Sequence, residues 1–152
     1  MSLLSVIVPC YNEEESVALF YQELTKNDPF FKEKEIELEL LYIDDGSKDG
    51  TVREVKKLIE QDSRVHIVSF SRNFGKEAAI FAGLAQACGD VVAVMDCDLQ
   101  HPPEVLVKMY RLWEQGYEVV EGIKKSRGTE TVFHRKSAGF FYRIMSLSLI
   151  HI

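Results

Sequence analysis

Asp96 and Asp98 stand two residues apart, directly after the apolar run Val91 to Met95. If the chain turns there, both carboxylates face one point, and hard oxygen donors of this kind suit Mg2+ or Mn2+. Mg2+ commonly takes one or two protein carboxylates and completes its shell with substrate phosphates, so the pair points to a metal-diphosphate site. Two acids at this spacing also arise by chance as a solvated turn. What favours chemistry is position: a buried strand precedes the pair, and Leu99-Gln100-His101-Pro102-Pro103-Glu104 follows it.

Three further segments combine reactive or ligand-binding side chains with turn residues. Asp44-Asp45-Gly46-Ser47-Lys48-Asp49-Gly50-Thr51 offers an acid able to accept hydrogen bonds from a base or ribose. The plain alternative is a capped turn with two acids pointing into water. Pro9-Cys10-Tyr11-Asn12-Glu13 sets a ring able to stack on a base beside a carboxylate, or else is a strand-end turn with Asn12 capping the next helix. Arg72-Asn73-Phe74-Gly75-Lys76 places two cations near a glycine, where backbone can approach a phosphate or sugar; otherwise it is a polar loop.

The elements that must position these residues follow from the apolar pattern. Leu4 to Val8, Ile36 to Ile43, Val65 to Phe70, Val91 to Met95 and Tyr117 to Gly122 read as strands. Glu13 to Lys26 reads as a helix with acidic residues in its first turn, followed by helices over Thr51 to Gln61, Lys76 to Ala87 and Pro103 to Gln115. Alternating strands and helices predict an α/β fold, a mostly parallel sheet with helices on both faces. Right-handed crossovers then bring the four loops to the carboxyl edge of the sheet, where such folds bind ligands. Phe133 to Leu149 reads as one more helix.

The 152 residues suit one domain with a substantial core, and the net charge of −6 argues against a general nucleic-acid binder. The charge is uneven. Lys124 to Arg143 holds six Lys or Arg against one Glu, so this stretch is +5 and the remainder −11. That reversal suits an anionic ligand or a membrane surface, and a solvated helix face accounts for it equally well. Cys10, Cys88 and Cys97 are odd in number and lack C-x-x-C spacing, so they read as reduced, buried side chains of a cytosolic protein. The four histidines show no metal-ligand spacing, and no apolar run reaches the ~20 residues that span a bilayer.

Taken in order, P-x-Y-N-E (Pro9 to Glu13), I-D-D-G-S-x-D-G-T (Ile43 to Thr51), S-R-N-F-G-K-E-A-A (Ser71 to Ala79) and D-x-D-L-Q-H-P-P-E (Asp96 to Glu104) carry a family resemblance. Over roughly Leu4 to Met145 the chain resembles the family-2 glycosyltransferases with the Rossmann-like GT-A fold, most of all the polyprenyl-phosphate branch that includes dolichol-phosphate mannosyltransferase and bactoprenol glucosyltransferase. The resemblance implies that Pro9, Tyr11, Glu13, an acid of Asp44-Asp45 and Lys76 hold the nucleotide sugar. It implies that Asp96, Asp98 and Gln100 surround Mg2+ or Mn2+ and the diphosphate. Lys124, Arg127, Arg135 and Ser137 fall where the relatives contact diphosphate or lipid phosphate, with Arg127 and Arg135 joining Asp96 and Asp98 in catalysis. Ala138 stands where some relatives carry serine, which weakens the role of Ser137.

The implied reaction is inverting transfer of a hexose from a nucleoside-diphosphate sugar, of UDP-glucose or GDP-mannose type, to a polyprenyl phosphate. The implied place is the cytoplasmic face of a membrane, against which Phe133 to Met145 could lie; an ordinary core helix is the alternative there. The family's next acidic motif and any membrane helices lie beyond this chain. Leu147 to Ile152 matches the translation of a transposon-end sequencing adapter, so the domain is expected over 1–146 with a non-native tail at 147–152. The alternative function is a nucleotide-sugar-binding fragment without turnover. A response-regulator receiver would want its acid pair after the first strand, and an NAD-binding Rossmann domain would want G-x-G-x-x-G there; neither is present.

Overall fold

A computed structural model of the protein describes residues 2–100 and 102–122. In chain order they form β1 (Ser2–Cys10), α1 (Val17–Thr25), α2 (Asp28–Glu33), β2 (Ile36–Asp44), α3 (Thr51–Gln61), β3 (Val65–Ser69), α4 (Lys76–Gln86), β4 (Val91–Val94) and α5 (Glu104–Glu114). The strands make one parallel sheet in the order β3-β2-β1-β4. Its register aligns the carboxyl ends, with Cys10 opposite Asp44, Asp44 opposite Ser69, and Ile7 opposite Val94.

Both faces of the central strands are covered, which is why β1 and β2 read as nearly unbroken apolar runs. On one face Leu4, Val6, Val8, Leu38, Leu40 and Tyr42 pack with Phe20 of α1, Phe31 of α2, Val55 of α3, and Leu106 and Tyr110 of α5. On the other, Ile7, Leu41 and Ile43 pack against Ala79 of α4. The small residues of α4 let it lie close to the sheet: a Cβ on Gly83 would come within 2.4 Å of Ile7 Cγ2. The apolar helix faces therefore bury against the sheet and leave the loop tips to do other work.

Several sequence expectations change. α1 begins at Val17 rather than Glu13, and no acid lies in its first turn. Glu13 and Glu14 are instead drawn to the neighbouring loop, where the Glu13 amide donates to Thr51 Oγ1 and the Glu14 amide to Asp49. The short α2, with Pro29 in its first turn, was not expected; six residues are too few to show a helical period. Tyr117 to Gly122 forms no strand, and Tyr117 and Val119 are 58% and 72% exposed. Gly116, at φ 96°, ends the α5 turn, and β propensity alone does not make a strand without a partner edge for its backbone groups. Cys88 is exposed, unlike Cys10 and Cys97. The expected helix over Phe133 to Leu149, the basic stretch, and the 146/147 boundary lie outside the described residues.

Candidate active site

Along this chain β1, β2 and β3 step outward in one direction, and the chain then returns to place β4 on the other side of β1. The loops leaving β1, β2 and β4 and the loop before α4 all stand at the carboxyl edge, where parallel α/β sheets bind ligands. A cavity of about 300 Å3 lies there. Its wall is built from Pro9, Cys10, Tyr11 and Glu13 after β1, Asp45 after β2, Asn73, Gly75, Lys76 and Ala79 around the start of α4, and Asp96, Cys97 and Asp98 after β4. Four loops predicted to converge do so.

The loop after β1 is braced rather than free. Asn12 takes the left-handed conformation (φ 55°), donates its amide to Ser47 Oγ at 2.9 Å, and accepts the Lys48 amide on Oδ1 at 2.9 Å. Asn12 therefore ties two loops together and does not cap α1, whose N-cap is Ser16. Glu14 accepts the Gly50 amide at 2.7 Å. Held from behind in this way, Tyr11 lies 41% exposed at the cavity, and Glu13 lines it.

Asp44 and Asp45 do not point into water; both are buried. Asp44 accepts the Ser47 amide at 3.1 Å and the Ser69 hydroxyl at 2.6 Å, and it is not part of the cavity wall. Asp45 reaches across to accept the amides of Phe74 and Gly75 at 2.7 and 2.9 Å. This fixes the loop before α4, where Gly75 has φ 99° and where Arg72 lies over the Phe74 ring at 4.8 Å. Lys76, the first residue of α4, then directs its ammonium to both oxygens of Asp96, at 2.6 and 2.8 Å.

Asp96 and Asp98 both reach the cavity, while Gln100 is exposed and outside its wall; the Gln100 amide donates to Asp98 Oδ1 at 3.0 Å. Leu99, directly after Asp98, sits at φ 57°, a left-handed conformation that an ordinary side chain adopts at a cost, in the turn that leads from the acid pair towards α5. Among the described residues no cluster of three or more His, Cys, Asp or Glu side chains forms a metal cage. Cys10 and Cys97 lie under the acids. Burial pushes the Cys97 thiol up to about 12, with Glu13, Asp98 and Asp96 adding to the effect, and burial chiefly raises Cys10 further. Both thiols stay protonated near neutral pH and make poor nucleophiles.

Of the sequence-predicted residues, Pro9, Tyr11, Glu13, Asp45, Lys76, Asp96 and Asp98 are brought together; Asp44 and Gln100 stand aside, and Arg127 and Arg135 lie outside the described residues. Ala79 was missed, although its place one turn after Gly75 on a small-residue helix was a usable signal.

The sequence matches the profile of glycosyl transferase family 2 over residues 5–150. It is 42% identical to the Bacillus subtilis glycosyltransferase YkcC over 142 residues, which cover 93% of this chain and 43% of the relative. It is 40% identical to the bactoprenol glucosyl transferase of Shigella phage SfX over 141 residues, covering 93% and 45%. The chain thus spans less than half the length of these curated relatives. Among solved structures it resembles Staphylococcus aureus TarS 1–349 (TM-score 0.64, 26% identity, 86% of this chain and 40% of that one). It also resembles the Pyrobaculum calidifontis mannosyltransferase PcManGT in complex with GDP-Man and Mn2+ (TM-score 0.61, 27% identity, 71% and 31%). On sequence and on architecture, the chain belongs to glycosyl transferase family 2 and has the GT-A fold.

Proposed function

We propose that this chain forms the donor site of an inverting glycosyltransferase that moves a hexose from a nucleoside-diphosphate sugar to a polyprenyl phosphate. The observation that carries the reading is the cavity at the carboxyl edge of the sheet, lined by Asp96, Asp98 and Lys76 together with Tyr11 and Glu13. Tyr11 offers its ring to a nucleobase, while Pro9, Glu13 and Asp45 shape the nucleoside end; Asp44 acts from behind by holding the turn. The relatives named for bactoprenol favour a polyprenyl-phosphate acceptor, with a donor of UDP-glucose or GDP-mannose type.

The residues fit a divalent cation. Two carboxylates at the cavity wall are a normal protein share for Mg2+ or Mn2+, with phosphate oxygens of the donor completing the shell. Asp96 and Asp98 would hold it, with Gln100 two residues on. When bound, such an ion neutralises charge that develops on the diphosphate leaving group. A phosphate-monoester acceptor has a second pKa of about 6, so its oxygen is already largely ionised near neutral pH. The chain therefore needs to align donor and acceptor more than to remove a proton, and Arg127 and Arg135 would supply charge on the acceptor side. Among the described residues no helix is long and apolar enough to cross a membrane; the reading places the domain against the cytoplasmic face through its basic segment.

Transfer to polyprenyl phosphate from UDP-glucose and GDP-mannose, measured with and without Mn2+ alongside calorimetric binding, tests this. Binding together with metal-dependent transfer supports the full reading. Binding without transfer supports the second one, a nucleotide-sugar binder without turnover, which the chain's share of its relatives' length keeps in play. If no nucleoside diphosphate binds in Mn2+, both are wrong.

A further inference from the structure

We propose that Lys76 is an exchangeable counter-ion: it holds Asp96 while the cavity is free of metal and donor, and it passes to the donor's diphosphate when Asp96 takes a divalent cation. The inference rests on the donor-site reading and adds a role that the reading does not require. Two observations set it up. The ammonium of Lys76 meets both oxygens of Asp96, at 2.6 and 2.8 Å, on the wall of the cavity. Asp98, two residues away, has no cation partner among the described residues and accepts only the Gln100 amide. One acid of the pair is thus neutralised in advance and the other is open.

The pair is also easy to exchange. The Lys76 and Asp96 side chains are 55% and 37% exposed, and an ion pair so open to water gains little net free energy. The backbone beneath Lys76, by contrast, is fixed, because Asp45 grips the Phe74 and Gly75 amides just before it. A rigid base with a mobile arm is what a transferable charge needs. Lys76 further occupies the first position of α4, where the helix dipole disfavours a cation. Asp96 offsets that unfavourable placement in the free cavity. Once Asp96 is engaged elsewhere, the Lys76 ammonium and the positive helix end together face the cavity, and a diphosphate is the group of opposite charge that would draw them.

Calorimetric titration of the 152-residue chain with Mn2+ alone, then with UDP and GDP in saturating Mn2+, separates the outcomes. Removing the competitor in Lys76→Met is expected to tighten Mn2+ binding about twofold to fivefold, the scale of an exposed ion pair, and to weaken binding of whichever nucleotide binds. Lys76→Arg keeps the charge and should keep the wild-type Mn2+ affinity. Lys48→Met removes an exposed cation from a neighbouring loop, off the cavity wall, and should move neither affinity by as much. Unchanged or weaker Mn2+ binding in Lys76→Met, while the wild-type chain binds both Mn2+ and nucleotide, overturns the counter-ion role alone. So does a gain of equal size in Lys48→Met, since it reports only net charge. Failure of the wild-type chain to bind either nucleotide in Mn2+ overturns the donor-site reading and this proposal with it, whereas nucleotide binding in Mn2+ without any binding of Mn2+ alone overturns the counter-ion role only.

Discussion

The acid pairs Asp44-Asp45 and Asp96-Asp98 both follow a parallel strand at the carboxyl edge of the same sheet, yet they have opposite fates. Asp44 and Asp45 are buried, and between them they accept three backbone amides and one hydroxyl. Asp96 and Asp98 are open to the cavity, and their partners are one surface lysine and one amide. A carboxylate whose lone pairs are filled by backbone donors sets the shape of a loop. One whose partners can leave is available to a ligand. Neighbouring loops of one sheet thus divide the labour, with the first pair fixing the walls that the second pair works between.

The sharpest way to break this division is to attack the turn behind the first pair. Gly46 has φ 71°, and a Cβ there would lie 2.4 Å from the Arg72 carbonyl carbon and 2.7 Å from the Asn73 nitrogen. Backbone cannot move aside as a side-chain tip does, so Gly46→Ala should cost about 3 kcal/mol or more in urea unfolding. Gly116→Ala, at φ 96° with open space around it, serves as the matched control and should cost only about 1 kcal/mol. Next in size, Asp44→Ala strands the Ser47 amide and the Ser69 hydroxyl and should cost about 2 kcal/mol. Equal stability of Asp44→Ala and wild type would remove the structural half of the comparison.

The second pair should behave in the reverse manner. Asp98→Ala loses one amide contact at the surface, so its unfolding free energy should stay within about 0.5 kcal/mol of wild type. Its affinity for nucleoside diphosphate in Mn2+ should fall at least about tenfold, or roughly 1.4 kcal/mol, by calorimetry. Unchanged affinity in that variant would deny the pair its place at the ligand.

How much of this was legible in the sequence depends on the range of the interaction. Strands and helices with long apolar periods were readable to within a few residues, and so was the convergence of four loops, because topology follows from the alternation of strand and helix. What escaped was set by contacts across space. Nothing in the period of residues 13–26 shows that Thr51 and Asp49 hold back the start of α1. The letters Asp44-Asp45 look as free as Asp96-Asp98 until Phe74, Gly75 and Ser69 are placed beside them. Tyr117 to Gly122 has strand-forming residues and yet pairs with neither edge strand of the sheet, β3 or β4.

A third kind of carboxylate extends the comparison to the other end of the sheet. There Arg64, just before β3, bridges Asp28 of α2, both oxygens at 3.0 and 2.9 Å, and Asp62 at the end of α3, with Tyr21 also donating to Asp62. Hydrogen bonding from the Arg64 guanidinium is the main cause that holds the Asp62 carboxyl down at about 2. A folded-state pKa below that of the unfolded chain, near 3.9, means the folded protein keeps this carboxylate ionised when the unfolded one has begun to bind its proton. The stabilisation is therefore complete above about pH 5, declines as pH falls through 3.9, and is gone below about 2. Two pKa units would set a ceiling of ~2.5 kcal/mol, and solvent around this partly open cluster trims it to about 1 kcal/mol. Urea unfolding of wild type and Arg64→Met between pH 6 and pH 2.5 should show the gap between them narrowing by about that amount. A gap that is independent of pH would mean that Arg64 stabilises by packing alone and that the Asp62 carboxylate carries no charge-linked role.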